Sequence, residues 1–115
     1  MSYNEKLANR VREALAGVSK VEEKEMFRGI TFMVKGKMCV SVGDDEMMCR
    51  IDPGESETAL ERGNCRPMVH GGKIMKGFIF VVEEGYKRKK DFGYWINLAL
   101  DFNKKAKASP KRKKK

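Results

Sequence analysis

The sequence has one histidine in 115 residues, three cysteines, three prolines and no apolar run longer than the five residues 78–82. Each shortage excludes something. A membrane-spanning helix needs roughly 20 apolar residues, and the N-terminal stretch lacks the apolar segment of a secretory signal, so a cytoplasmic protein is expected. An odd cysteine count without a C-x-x-C spacing does not make a disulfide framework and points to reduced thiols. A single histidine leaves few ways to build a nucleophile–base pair or a metal site. A chain this short holds one hydrophobic core and has no room for a cofactor domain beside a substrate domain.

Charge is the feature present in excess, with 25 Lys+Arg against 16 Asp+Glu and a net +9. It is unevenly spread. Lys104, Lys105, Lys107, Lys111, Arg112, Lys113, Lys114 and Lys115 lie in a segment without an acid, which leaves 17 bases and 16 acids for residues 1–102. The basicity therefore belongs to the C-terminal segment, and the body is balanced apart from Lys87-Arg88-Lys89-Lys90. Residues 1–103 are expected to be the folded domain, and residues 104–115 a lysine-rich tail, disordered by composition.

Ser2 and Glu5 have the spacing of a capping box, and Leu7, Val11, Leu15 and Val18 follow at helical spacing. A second, short helix is expected after Asp52 as N-cap and Pro53 at the first position, stopping at Gly63. Phe92, Trp95, Ile96, Ala99 and Phe102 mark the last helix, with Asp91 as its cap. Residues 26–34, 38–42 and 46–51 read as three strands at hairpin spacing. Residues 65–70 and 76–83 form a further pair around Gly71-Gly72-Lys73. The expected fold class is α+β in two layers, in the order α-β-β-β-α-β-β-α, with a mainly antiparallel sheet.

Alternation puts Ile30, Phe32 and Val34 on one face with Met38, Val40, Val42, Met47, Cys49 and Ile51. Ile30, Phe32, Val40, Val42, Met47, Cys49, Phe80, Trp95 and Ile96 are the expected core. The same parity sends Cys39 to the opposite face, away from Cys49. That second face carries Thr31, Met33, Cys39 and Met48, and residues 78–82 are apolar on both sides. With the helices on one side, a partner subunit is the economical cover, so a homodimer is expected; the last helix wrapping round is the alternative.

Cys39, Cys49, Cys65 and His70 are the conceivable zinc donors, but their spacing is not a zinc spacing and the parity separates two of them, so neither a metal nor another cofactor is expected. His70 precedes a Gly-Gly turn, where a polar residue needs no catalytic reason. The acids Glu22-Glu23, Asp44-Asp45 and Glu83-Glu84 sit at turns or element ends. No acid–base constellation emerges, and the chain is expected not to be an enzyme. Arg28, Arg50, Arg66, Lys73 and Lys76 lie on or beside strands without forming one stripe.

Taken in order, Met26-Phe27-Arg28-Gly29, Phe32-Met33-Val34, Gly36-Lys37-Met38-Cys39, Met48-Cys49-Arg50, Arg66-Pro67-Met68 and Met75-Lys76-Gly77-Phe78, with Trp95 in the last helix, resemble the N-terminal domain of the TfoX (Sxy) family of bacterial competence regulators. The sequence departs from that pattern at Arg28 and over residues 69–72. The resemblance implies an α-β(3)-α-β(2)-α fold like that of secretion chaperones, and a stand-alone version of a domain that full-length members join to a second, C-terminal one. It also implies a transcriptional co-activator working through protein partners, as regulatory members do with the cyclic-AMP receptor protein, and it attaches no catalytic residues. The expectation is thus a small cytoplasmic, dimeric regulatory domain with a protein partner, transcription machinery being the candidate. The alternative is a nucleic-acid-associated protein whose eight tail cations bind phosphate backbones weakly and without sequence preference.

Overall fold

The computed structural model describes residues 3–26, 29–44 and 46–105. Helix α1 (Glu5–Ala14) is capped by Asn4, whose Oδ1 accepts from the Leu7 amide at 3.0 Å, so the cap is Asn4 rather than the expected Ser2, which lies outside the described residues. Strands β1 (Val21–Met26), β2 (Gly29–Val34), β3 (Lys37–Val42) and β4 (Glu46–Arg50) follow. A 3-10 turn (Pro53–Glu55), capped by Asp52 at 2.9 Å from the Gly54 amide, leads into α2 (Ser56–Glu61). Strands β5 (Cys65–His70) and β6 (Lys73–Val82), the short helix α3 (Glu83–Tyr86) and α4 (Lys89–Asn103) complete the chain.

The fold is α+β, and the order α-β-β-β-α-β-β-α is present with two additions, β1 before the three central strands and α3 before the last helix. The sheet has six strands in the order β1-β2-β3-β4-β6-β5, each pair antiparallel. β1 is not foreseen by apolar alternation because Val21–Met26 holds three glutamates and a lysine, a pattern that an edge strand tolerates. Gly29, which opens β2, lies so close to the Val42 carbonyl that any Cβ there would overlap it. Asp91 is not the cap of α4, which begins two residues earlier after Arg88; it sits in the first turn and pairs with Arg62 at 3.0 Å.

The core lies between the helices and one face of the sheet. Leu7 and Val11 of α1, Ala59 of α2, Tyr86 of α3 and Trp95, Ile96 and Ala99 of α4 cluster with Ile30, Phe32, Val34, Val40, Val42, Met47, Cys49, Ile79 and Val81. Removing such side chains from water is worth about 1.5–3 kcal/mol each for the larger ones. Trp95 is buried, with its indole N–H donating to the Gly85 carbonyl at 3.2 Å. The helices thus pack their buried residues on the first face, and the end of α4 comes near the second at Phe102, 5.6 Å from Arg50.

Two details of register differ from simple alternation. The pairing of β2 with β3 shifts between Phe32 and Met33, so that Cys39 is an extra residue in β3; Met38 then faces Met33, and Cys39 joins the core cluster that holds Cys49. The expectation that parity would keep these two cysteines on opposite faces therefore fails at a bulge. Phe80 is half-buried rather than buried, because it is Ile79 and Val81 that pair with the core positions Cys49 and Met47.

Candidate functional site

The second face of the sheet is crossed by a row of partners running from edge to edge: Lys24, Thr31, Ser41, Met48, Phe80 and Arg66. Thr31, Ser41 and Met48 in the middle of the row are buried, and the hydroxyls of Thr31 and Ser41 share a hydrogen bond of 2.9 Å. Phe78, Phe80, Val82, Met33 and Met38 on this face are half-buried. Arginines lie over its aromatic rings. Arg66 stands 4.7 Å from the centre of Phe80 and forks onto Glu46, while Arg50 stands 6.0 Å from Phe78 and 5.6 Å from Phe102 at the end of α4. The face is a mixed surface of half-covered rings, methionines and arginines.

The second feature is an arm. The pairing of β5 with β6 passes over Lys76, Gly77 and Phe78, so that Pro67 opposes Ile79 while the next residue, Met68, opposes Met75. Gly77 makes this break possible, at φ +92 and with space beside the Ile51 carbonyl too small for a Cβ. Its N–H donates to Ser56 Oγ at 2.9 Å and its carbonyl accepts from the Ile51 amide at 2.7 Å. Beyond this anchor the hairpin is exposed along residues 69–76. Val69, Ile74 and Met75 are the large apolar side chains exposed among the described residues, at 60%, 62% and 38%.

The tail begins beside that anchor. Asn103, the last residue of α4, is buried, with its side-chain amide donating to the Val34 carbonyl at 3.3 Å and its own carbonyl accepting from Lys37 Nζ at 2.7 Å. Lys105 Nζ pairs with Asp52 at 2.7 Å, and that contact and the Gly54 amide hold the Asp52 carboxyl below its ordinary value. Of the eight expected tail residues, Lys104 and Lys105 are exposed, while Lys107, Lys111, Arg112, Lys113, Lys114 and Lys115 lie outside the described residues. Arg28 lies outside them too.

The remaining candidates are placed less suggestively. Burial pushes the Cys39 thiol up to about 12 and drives Cys49 in the same direction, so both stay protonated and poorly nucleophilic. His70 is exposed near the tip of the arm, well along the hairpin from Cys65 at its root. No group of three or more metal-ligating side chains converges among the described residues. A groove of about 550 Å³ between α1 and α4 is lined by Arg10, Glu13, Lys87, Lys89 and Phe92, with Arg10 lying 4.2 Å over the Phe92 ring and donating to the Tyr86 carbonyl. No helix among the described residues is long and apolar enough to cross a membrane.

The family model for the TfoX N-terminal domain matches residues 13–103, from within α1 to the last residue of α4. The chain belongs to the TfoX N-terminal domain family. The match takes in the sheet, the arm and the Gly77 anchor and stops where the lysine-rich segment starts. No curated protein and no solved structure is detectably similar to the chain. The pieces of the arm read as a hairpin in the sequence, but nothing in that reading says that the hairpin stands clear of the body. The available signal was the absence of any acid over residues 62–82, together with apolar residues on both sides of a Gly-Gly turn.

Proposed function

We propose that this TfoX N-terminal domain is a non-enzymatic regulatory module, active in the cytoplasm, that works in transcriptional control by pairing with a second copy and with a protein partner. The observation that carries this reading is the second sheet face, where Phe78, Phe80, Val82, Met33 and Met38 remain half-buried while the helices pack their buried residues on the first face. A symmetric contact between two such faces covers the apolar surface of both at once. Its test is sedimentation at tens of micromolar. The parent chain is expected as a dimer and Phe80→Glu as a folded monomer; a parent that sediments only as a 13.1 kDa species contradicts the reading. A pull-down from lysate with and without nuclease then separates protein partners from nucleic-acid bridging.

A second reading is supported by the charge distribution: the tail cations from Lys104 to Lys115 bind nucleic-acid phosphates without sequence preference. If all eight engage, log affinity for duplex DNA falls against log salt with a slope near about −7, at roughly 0.9 per neutralised phosphate. Changing Lys107, Lys111, Arg112, Lys113, Lys114 and Lys115 to glutamine flattens that slope, and an unchanged slope contradicts the tail reading.

A further inference from the structure

The arm and the tail leave the body at one place, and both carry charge of one sign. Gly77, the anchor of the arm, is bonded to Ile51, and the neighbouring Asp52 holds Lys105, the second cation after the end of α4. The arm side of this junction has Lys73 and Lys76, with Arg66 at its root already forked onto Glu46, and no acid occurs anywhere from residue 62 to residue 82. The tail side has six further cations and likewise no acid. Lys73 and Lys76 are exposed. Between them lie Ile74 and Met75, and Val69 is the direct ladder partner of Ile74, so these two side chains project from the same face of the ribbon as one apolar knob.

We propose that this arm is a duplex-DNA-binding element, with Val69 and Ile74 entering a base step from the minor groove while Lys76, two residues on from Ile74, and Lys73, reaching round from the opposite face of the ribbon, hold the flanking phosphates. Two features select this occupant. Apolar side chains at a ribbon tip in water need a cover, and an apolar wedge flanked by cations is the arrangement by which minor-groove proteins unstack and kink a duplex. Charge argues against the arm of a second copy, since a symmetric arm-to-arm contact brings like charges together with no acid on either hairpin to offset them. The proposal shares its partner with the tail reading but stands on different residues, so the two are tested separately.

The experiment uses the full chain and a short end-labelled DNA duplex, with affinity followed by anisotropy and bending by energy transfer between the ends. The parent is expected to bend the duplex by an angle within about 20–90°. The triple variant V69S/I74S/M75S, altered only at exposed positions, is expected to keep the thermal midpoint and still bind, but to lose the bend. K73E/K76E is expected to bind more weakly, with a salt slope flatter by about 2. The chain with glutamines at the six tail positions beyond Lys105 is expected to bind less tightly yet still to bend the duplex. Loss of all binding in that last variant, with the arm variants behaving like the parent, overturns the arm proposal and leaves the tail reading intact. A bend that survives V69S/I74S/M75S overturns it as well. So does an arm that, when altered, changes capture of a protein from lysate and leaves DNA binding untouched.

Discussion

Strand β6 is one continuous strand with two unlike halves. From Phe78 to Val82 it lies inside the sheet, pairs with β4 and sends Ile79 and Val81 into the core. From Lys73 to Met75 it pairs only with β5, and the side chains from Lys73 to Lys76 are exposed. Both halves are apolar enough to be strands by composition, and they differ in what lies beside them. The difference is made at Gly77, where the backbone turns through a conformation that favours glycine and is bonded on both sides to the segment that starts α2. A strand of this kind builds the body at one end and offers a surface at the other.

Substitutions on either side of Gly77 test that division. Ile79→Ala removes a fully buried side chain and is expected to cost about 2–5 kcal/mol, whereas Ile74→Ala, in the exposed half, is expected to stay within about 0.5 kcal/mol of the parent, both read from denaturant midpoints. Equal losses at the two positions would mean that the arm is packed rather than free. Gly77→Ala comes next, expected at about 1–3 kcal/mol, since it forces a Cβ into a positive φ and to 2.9 Å from the Ile51 carbonyl. Ser56→Ala, which leaves the buried Gly77 N–H without its acceptor, is expected to cost a similar or smaller amount, about 1–2 kcal/mol.

Much of this arrangement was legible in the residues. Asp52-Pro53 announced a helix start, the Gly-Gly turn announced a hairpin, and the helical spacing of Trp95, Ile96 and Ala99 announced a buried face. What escaped has physical reasons. The bulge at Cys39 inserts one residue without leaving a mark in the pattern of apolar residues, so a parity argument carried across it puts Cys39 on the wrong face. Strand β1 is held by its pairing with β2 and by Arg12 of α1 forking onto Glu23, neither of which requires apolar alternation. The anchor at Gly77 depends on contacts with residues 51–56, more than twenty positions away, and no local signal carries such a contact. That Lys105 lies beside the anchor of the arm is likewise a tertiary fact, visible only once it is seen on Asp52.

Acid is expected to have the smallest effect on the comparison, acting at the other edge of the sheet and at the tail root. Arg12 holds the Glu23 carboxyl below its ordinary value, and Lys105 does the same for Asp52. A depressed carboxylate contributes stability above its unfolded pKa and loses it as pH falls through the folded one, so the loss belongs below about pH 4. Both pairs are substantially exposed, so the contribution is small. Glu23→Gln is expected to flatten the fall in thermal midpoint on acidification slightly; a steeper fall would contradict the assignment.

The most direct test of the division of β6 is amide hydrogen exchange along that strand, in the chain with its six distal tail cations changed to glutamine, with and without duplex DNA. Without DNA, the amides of Ile79 and Val81 are expected to exchange only with global unfolding, and those of residues 69–75 by local opening with far less protection. With DNA, protection is expected to rise over residues 68–76 and to stay unchanged over residues 78–82. Protection that rises on the second sheet face instead, or an arm as strongly protected as the core before DNA is added, would contradict the account.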